Sequence, residues 1–410
     1  MFKDQITSIL NNLDDIRTSS SNNHMLLQQF QEVINNEIKN SENPAKTTAI
    51  FEDHLIQINR LLEQVNSNLE NESIRKKIQK IIQQLFNLTL VQTLNINLTG
   101  INELHLNYHI GDLLILPTTS KTAFLYDWMS RDISKLYSMI EKVGNVIRIT
   151  QGPRKHVGIF KNKIILFLPI DYSGFITIRN ESDQICVANL QSKCMLDITS
   201  ATGNVLLNNL QINRLQADLK SGNITLNKCQ AEDIHVNTHS GTISTFNVKD
   251  TKADAETLLT STTGTIKVDS FTTHRLVIET KSGNIQTKNL NKVNCDFSTL
   301  TGNIKGNNFN GRGIIKNNTG KIKLSLNSNF NQKLEVINEL GAIKINIAKD
   351  LPLQFHTNGR LAAINLPLDA IIFDNNDDYN KIDGYLIDEH AQPSLSLTSA
   401  HGKIELKNNN

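Results

Sequence analysis

The residues best able to do chemistry in this 410-residue chain are lysines that recur at one position of a repeated phrase. Each follows a glycine by three residues, and the set comprises Lys267, Lys305, Lys323 and Lys344. If the repeats stack, these ammonium groups form a row, which suits a regular polyanion such as anionic lipid headgroups or an anionic wall polymer. The alternative is that lysine simply keeps a repetitive surface soluble.

Acidic residues recur four or six positions before the same glycines, in a sparser set: Asp197, Asp218, Glu279, Asp296 and Glu335. β-Helix enzymes that cleave polysaccharides need carboxylates or basic residues gathered beside a substrate cleft. The two sets of charges form stripes on different faces and are not gathered in this way. The chain also lacks a G-x-S-x-G motif and a phosphate-binding glycine loop. We therefore expect no catalytic residues and no cofactor.

Metal binding is also not expected. His235 and His239 are four residues apart and face outward on an alternating segment, without a third ligand nearby. The four cysteines do not form a C-x-x-C pair, so they indicate reduced thiols in a cytosolic protein rather than a disulfide framework.

The element that must position the lysines is the repeated phrase itself, Ser/Thr-Gly followed most often by Asn or Thr and then Ile or Val. Its steps are mostly 19 residues, a fixed period typical of repeat architectures. We expect its glycines to adopt positive φ at a structural turn. The turn glycines are Gly203, Gly222, Gly241, Gly264, Gly283, Gly302, Gly320 and Gly341.

Apolar residues alternate on both sides of each glycine, as with Leu276 and Ile278 before Gly283. Such alternation predicts short strands with one buried face. An antiparallel meander would share the alternation, but equivalent positions recur in one direction, which favours a parallel β-solenoid with coils of about 19 residues. We expect Ala362-Ala363-Ile364 to replace one glycine turn, and the acidic stretch from Phe373 to Pro393 to be a surface loop.

Residues 1–92 follow a different pattern, because their apolar residues step alternately by three and four. This spacing predicts a helical bundle or coiled coil that packs on itself or pairs with a partner or a second copy. The predicted fold class is therefore α + β, with a helical domain over residues 1–92 and a β-solenoid over residues 93–410.

The repeats resemble a bacterial family of β-strand repeats, the "putative adhesin" family, which is a domain of unknown function. The resemblance rests on the Ser/Thr-Gly-Asn-Ile/Val phrases and covers roughly residues 94–410. It implies a repetitive β fold and brings no catalytic residues. A helical part before such repeats is also similar in layout to the daptomycin-sensing surface proteins of Gram-positive bacteria, which implies a role in envelope stress.

The first functional hypothesis is a non-enzymatic binding or scaffold protein, associated with the cell envelope, that presents a repetitive solenoid face. The alternatives are a polymer-forming cytoskeletal scaffold of the bactofilin kind and, third, a carbohydrate-active β-helix enzyme. A net charge of +2 does not indicate a nucleic-acid partner. The sequence shows no signal peptide and no apolar run long enough to cross a bilayer, so we expect a cytoplasmic or peripheral location.

Overall fold

The computed structural model of the chain describes residues 88–153, 160–376 and 380–409. The predicted helical domain lies outside these residues apart from residues 88–92, so the division at residues 92 and 93 stays a prediction. The expected α + β class is wrong, because the described residues form strands and one short 3-10 turn, Ser134–Leu136, with no α-helix. Thr89 already begins a strand, since the three-and-four spacing ends at Leu88 and the β-branched residues that follow favour strands.

The described residues form thirty strands. The first ten are β1 (Thr89–Asn97), β2 (Glu103–Tyr108), β3 (Asp112–Thr118), β4 (Thr122–Met129), β5 (Ser138–Val143), β6 (Val146–Gln151), β7 (Asn162–Pro169), β8 (Phe175–Asn180), β9 (Ile185–Ala188) and β10 (Met195–Thr202). The next ten are β11 (Val205–Asn208), β12 (Arg214–Ser221), β13 (Ile224–Asn227), β14 (Gln230–Ala231), β15 (Asp233–Ser240), β16 (Ile243–Asp250), β17 (Glu256–Ser261), β18 (Ile266–Thr272), β19 (Arg275–Thr280) and β20 (Ile285–Thr299). The last ten are β21 (Ile304–Asn317), β22 (Ile322–Leu326), β23 (Lys333–Asn338), β24 (Ile343–Ala348), β25 (Leu353–Gly359), β26 (Ile364–Asn365), β27 (Ile371–Asn376), β28 (Lys381–Leu386), β29 (Ser394–Ser399) and β30 (Ile404–Asn409).

The chain divides into two compact units. The described residues of the first are those up to Ile96, Phe124–Ser138 and the described part of Gly152–Leu166; the second contains Asn97–Ala123, Met139–Gln151 and Phe167–Asn410. In the first unit β1 pairs with β4, and β4 pairs with β7.

One acidic side chain is buried in the first unit. Asp127 is 1% exposed, and its two carboxylate oxygens accept hydrogen bonds from the backbone N–H and the hydroxyl of Ser138, at 2.8 and 2.9 Å. Burial raises the pKa of Asp127 to about 6, although the two hydrogen bonds from Ser138 oppose the rise. The neighbouring Trp128, the one tryptophan of the sequence, is also buried.

The second unit is a parallel β-solenoid, which confirms that part of the prediction. Each coil contributes a strand to sheet A before its glycine turn and a strand to sheet B after it. Sheet A has the order β6-β2-β8-β10-β12-β15-β17-β19-β20-β21-β23-β29-β25. Sheet B has the order β3-β9-β11-β13-β16-β18-β20-β21-β22-β24-β30-β26.

The alternating apolar residues of both sheets form the core between them. Leu276 and Ile278 pair with Cys295 and Phe297 of the next coil, and all four are buried. Phe297 also meets Phe309 edge to face, with ring centroids 6.3 Å apart. Equal registers therefore place equivalent apolar side chains on top of one another along the stack.

The order of the coils departs from the order of the chain at both ends. The last coil, β29 and β30, lies between the coil of β23 and β24 and the coil of β25 and β26. At the other end β2 lies between β6 and β8, although β6 follows β2 in the chain. The unit at Ala362-Ala363-Ile364 is a true coil, since Ile364 pairs with Ile404 and Phe355 with Leu395.

The acidic stretch after Phe373 is not the expected loop. β28 pairs antiparallel with β25, and β27 pairs antiparallel with β28, so a hairpin covers this edge of sheet A. These strands are hard to predict from the sequence, because β27 ends in Asp-Asn-Asn and neither strand shows a regular apolar alternation. The hairpin ends the parallel stack on this side of sheet A, because both of its pairings are antiparallel.

The turn glycines are required by close stacking more than by positive φ. Only Gly222, Gly241 and Gly320 of the predicted set adopt φ in the left-handed region. At all eight positions a Cβ atom would lie closer than 3.0 Å to a backbone carbonyl oxygen of the neighbouring coil. A left-handed residue lies six positions after six of these eight glycines, as at Asn289 and Asn308 with φ of 55° and 53°.

A column of buried hydroxyl and amide groups lies three residues before most of the glycines, and several of its members tie a turn to the neighbouring coil. Thr299 Oγ1 accepts a hydrogen bond from Gly302 N at 3.1 Å and donates one to the carbonyl oxygen of Gly283 at 3.1 Å. This hydroxyl column comprises Ser200, Thr238, Ser261, Thr280, Thr299, Asn317, Asn338 and Ser399, all of them buried. A second ladder uses the asparagine of the phrase, since Asn284 Oδ1 accepts from the backbone N–H of Asn303 at 2.8 Å.

Replacing Thr299 by valine should destabilise the solenoid by about 1–3 kcal/mol, because it leaves the N–H of Gly302 and the carbonyl of Gly283 without this partner. Thr245→Val is the matched control, since the buried Thr245 hydroxyl makes no hydrogen bond to the described residues, and its loss should be neutral or stabilising. Urea unfolding followed by circular dichroism measures both variants. Equal effects of the two substitutions would show that the hydroxyl column does not hold the turns.

Candidate functional site

The structure brings the four predicted lysines into one row on the outer face of sheet B. Lys267 pairs in register with Gln286, Gln286 with Lys305, and Lys305 with Lys323. Lys323 pairs with Lys344, and the next residue of the row is Glu405. We call this row, from Lys267 to Glu405, the lysine column. Neighbouring members are separated by the strand spacing of about 4.8 Å.

Most of the column is free of counter-charges. Lys267, Lys305 and Lys323 are exposed, and none of them forms an ion pair with another described residue. Lys344 is half-buried, and its Nζ lies 3.5 Å from Glu405 Oε2. The column therefore presents unpaired ammonium groups in its middle and a neutralised pair at one end.

Two flanking columns add to the positive charge of this face. Lys321 and Lys403 lie two residues before the lysine column, and Lys288 and Lys407 lie two residues after it. Across these six coils the three columns contain eight lysines and two acidic residues, Asp269 and Glu405; the remaining positions are Asn, Gln, Ser, Thr and Ala. The Nζ of Lys288 lies 3.7 Å from Asp269, so the unpaired charge concentrates at Lys305, Lys321 and Lys323.

The outer face of sheet A is different, because several of its charged residues form ion pairs with one another. Arg275 contacts Glu256 at 2.8 Å and Asp296 at 3.2 Å, and Arg214 lies 3.4 Å from Asp233. The predicted acidic residues fall into two columns here: Asp197, Asp296 and Glu335 in one, and Asp218 and Glu279 in the other. This contrast in ion pairing makes the outer face of sheet B the candidate binding face.

A second feature that the sequence did not reveal is a row of polar side chains across four strands of sheet A. Glu335, Ser396, His356 and Asp383 lie in register on β23, β29, β25 and β28, beside a groove of about 440 Å³. His356 Nδ1 contacts the Asp383 carboxylate. Ser396 makes no hydrogen bond to His356 or to any other described residue.

The other histidines and the cysteines do not form a metal site or a reactive pair among the described residues. His235 lies 3.3 Å from Asp233, and the described residues contain no cluster of three side chains suited to a metal ion. All four cysteines are buried and free. Burial raises the pKa of the Cys229 and Cys295 thiols to about 12, so both are protonated at neutral pH. No helix among the described residues is long and apolar enough for a membrane span.

Comparison with known proteins places this fold in a family. The Toastrack family model, DUF4097, matches residues 101–258 and matches again over residues 228–407. The chain belongs to the Toastrack family. The resemblance to the "putative adhesin" β-strand repeats is thereby confirmed. The two matches overlap, which follows from a code that repeats in every coil of the Toastrack solenoid.

Two solved structures are similar to this Toastrack chain. A "putative cell adhesion protein" from Clostridium sporogenes is 11% identical, with 78% of this chain and 98% of that chain covered and a TM-score of 0.19. A "putative adhesin" from Bacteroides fragilis is 11% identical, with 78% and 96% covered and a TM-score of 0.24. None of the curated proteins matches the chain.

Proposed function

We propose that this Toastrack protein is a non-enzymatic binding protein whose sheet B face holds a linear phosphate-bearing polymer of the cell envelope. The observation that carries the proposal is the group of unpaired ammonium groups at Lys305, Lys321 and Lys323 on adjacent coils. Two unit charges at the strand spacing repel one another by about 0.9 kcal/mol in water. A polyanion laid along the column would relieve this repulsion where lysines lie on adjacent coils, as at Lys305 and Lys323.

The shape of the face favours a polymer over a membrane. Six coils extend over about 24 Å at the strand spacing, and their charges lie in straight columns that a linear chain can follow. Peripheral membrane surfaces add exposed apolar side chains that enter the lipid. The three outward columns between Thr265 and Lys407 hold no apolar side chain larger than alanine. A linear polyanion therefore fits this face better than a lipid surface.

The envelope location is part of the same proposal, since such polymers belong to the envelope, and so is an envelope-stress role. The partner-binding role of residues 1–92 stays a prediction, because almost all of these residues lie outside the described part of the chain. A filament-forming scaffold finds no specific support: the hairpin of β27 and β28 covers the β25 edge of sheet A, where another solenoid would have to stack.

Replacing Lys305 and Lys323 by glutamine should weaken binding to long-chain inorganic polyphosphate by about tenfold and lower the salt dependence of binding by about two charges. The matched control is Lys316→Gln with Lys333→Gln, which removes the same charge from the outer face of sheet A. Fluorescence anisotropy of labelled polyphosphate over a range of salt concentrations gives both quantities. Equal losses for the two double variants would contradict a specific site on sheet B.

Vesicles with and without anionic phosphatidylglycerol test the other source of phosphate. We expect the full chain to bind polyphosphate but to sediment only weakly with anionic vesicles. Strong sedimentation that Lys305→Gln and Lys323→Gln abolish would assign the face to a membrane instead.

A further inference from the structure

The last member of the lysine column is an acid that three ammonium groups surround. Lys407 Nζ lies 2.8 Å and Lys403 Nζ 3.7 Å from Glu405 Oε1, while Lys344 Nζ lies 3.5 Å from Glu405 Oε2. The Glu405 side chain is 15% exposed, whereas the lysines around it are far more open to solvent. No other acid of this face meets more than one lysine among the described residues.

We propose that Glu405 is an internal anion that occupies the last subsite of the polymer-binding face and so fixes where a bound polymer ends. The inference rests on the proposed function and adds to it the boundary of the site. The geometry carries it, because Glu405 lies in register with Lys344 and in line with Lys323 and Lys305. Its carboxylate stands where the next phosphate of a bound polymer would lie.

The Glu405 carboxylate occupies this subsite at neutral pH whether or not a polymer is present. Hydrogen bonding from Lys407 and the charges of Lys344, Lys407 and Lys403 lower the pKa of Glu405. A carboxylate with a lowered pKa stays ionised at neutral pH, so the subsite is filled by the chain itself. A tethered anion also competes at a high effective concentration, which free polymer must exceed to replace it.

Glu405 has two consequences for a polymer that approaches from Lys323. It neutralises much of the attraction of Lys344, Lys403 and Lys407, and it repels the next phosphate directly. The bound segment then spans the column from Lys267 to Lys323, about 14 Å at the strand spacing. Without Glu405 the unpaired lysines would continue through the coils of β24 and β30.

Replacing Glu405 by glutamine keeps the shape of the side chain and releases the three lysines. We expect the full chain carrying Glu405→Gln to bind long-chain polyphosphate about five to ten times more tightly than the wild type, with a steeper salt dependence. Binding of tripolyphosphate, which is shorter than the original site, should change less than twofold. Glu279→Gln on sheet A makes the same change in net charge and should leave both affinities as they are.

A second variant keeps the inference testable if Glu405→Gln folds poorly. Lys403→Gln with Lys407→Gln removes two lysines that Glu405 already holds, so long-chain polyphosphate should bind within about twofold of the wild type. A loss as large as that of Lys305→Gln with Lys323→Gln would show that the polymer reaches the last coil and would overturn the inference.

The outcomes of these experiments distinguish a failure of the boundary role of Glu405 from a failure of the proposed binding function. If the wild type binds polyphosphate through Lys305 and Lys323 but Glu405→Gln leaves the long-chain affinity unchanged, the boundary role is wrong and the binding function stands. If the wild type does not bind polyphosphate, the proposed function fails and the boundary role falls with it.

Discussion

Replacing Gly283 by alanine should destabilise the solenoid by about 3 kcal/mol or more, whereas Gly144→Ala should cost only about 1–2 kcal/mol. A Cβ atom at Gly283 would lie closer than 3.0 Å to the carbonyl oxygen of Gly264, which is backbone and cannot rotate away. Gly144 has a φ of +61° but nothing within 4 Å of an added Cβ, so its substitution measures the cost of positive φ alone. Both glycines belong to the second unit.

The backbone around Gly283 cannot shift cheaply, because two hydrogen bonds of the hydroxyl column hold it. Gly283 N donates to Thr280 Oγ1 at 3.0 Å, and the carbonyl oxygen of Gly283 accepts from Thr299 Oγ1 at 3.1 Å. Any movement that makes room for a methyl group lengthens these buried hydrogen bonds as well. Each coil repeats the same contact, so the strain spreads to its neighbours rather than relaxing within one turn.

Urea unfolding of the two variants and the wild type, followed by circular dichroism, measures the difference. Similar losses for Gly283→Ala and Gly144→Ala would mean that φ, and not the approach of the coils, selects glycine in the repeated phrase. A Gly283→Ala variant of wild-type stability would refute the close stacking itself.

The solenoid could be predicted from the sequence because every coil carries the same code. The inward positions of Leu276 and Ile278 recur at one distance from each glycine, and a period of two with a fixed repeat leaves few architectures. The reason for the glycine could not be predicted, since a sequence does not show that one backbone lies on another. The left-handed residue proved to be Asn289, six positions after Gly283.

The same repetition explains why the order of the coils could not be predicted from the sequence. A coil that matches every other coil can stack on any of them, so nothing in Leu395 and Leu397 says that β29 lies between β23 and β25. Long insertions decide the order, and the hairpin of β27 and β28 lies in one of them. Its acidic composition is typical of a surface loop, so the sequence did not predict that Ile382 pairs with Thr357 in a sheet.

Only part of the candidate site, its row of lysines, could be predicted from the sequence. The lysine column follows directly from the glycine period, because residues at one offset from a repeated turn share one face of a sheet. Glu405 lies at the same offset from Gly402, but its negative charge departs from the lysine pattern, so the pattern alone does not predict its place in the column. The ion pairs on sheet A could not be predicted either, because Arg275 contacts Glu256 and Asp296, which lie on two other coils.

Charged residues are arranged differently on the outer faces of sheets A and B. On sheet A the opposite charges alternate between coils, as at Glu256, Arg275 and Asp296, and such exposed pairs contribute about 0–1 kcal/mol each. On sheet B like charges stack at Lys305 and Lys323, which slightly destabilises the free protein. Under the proposed function, a bound polyanion would offset this cost, because a ligand that binds only the folded state adds to its stability.

Replacing Asp127 by asparagine should stabilise the first unit by up to about 3 kcal/mol at neutral pH and flatten its dependence on pH. The pKa of Asp127 is raised from 3.8 to about 6 in the folded chain. A raised pKa means that the folded state binds the proton more tightly, so this contribution is fully present below about pH 3.8. It is lost as the pH rises through about 6, and the ionised carboxylate is then buried at a cost.

Asparagine keeps the local hydrogen bonds without a charge. Its Oδ1 can accept from the backbone N–H of Ser138, and its Nδ2 can donate to the Ser138 hydroxyl, in place of the two bonds that the carboxylate accepts. The exposed Asp132 in the same unit provides the control, because Asp132→Asn also removes one acid but leaves the buried site as it is.

The fluorescence of Trp128 reports on this unit alone, since it is the one tryptophan of the chain and is 3% exposed. Its urea midpoint in the wild type should fall between pH 4 and pH 7, that of Asp127→Asn should fall less, and that of Asp132→Asn should follow the wild type. A wild-type midpoint that does not change over this range would show that the carboxyl is ionised at little cost. The two hydrogen bonds from Ser138 would then fully offset its burial.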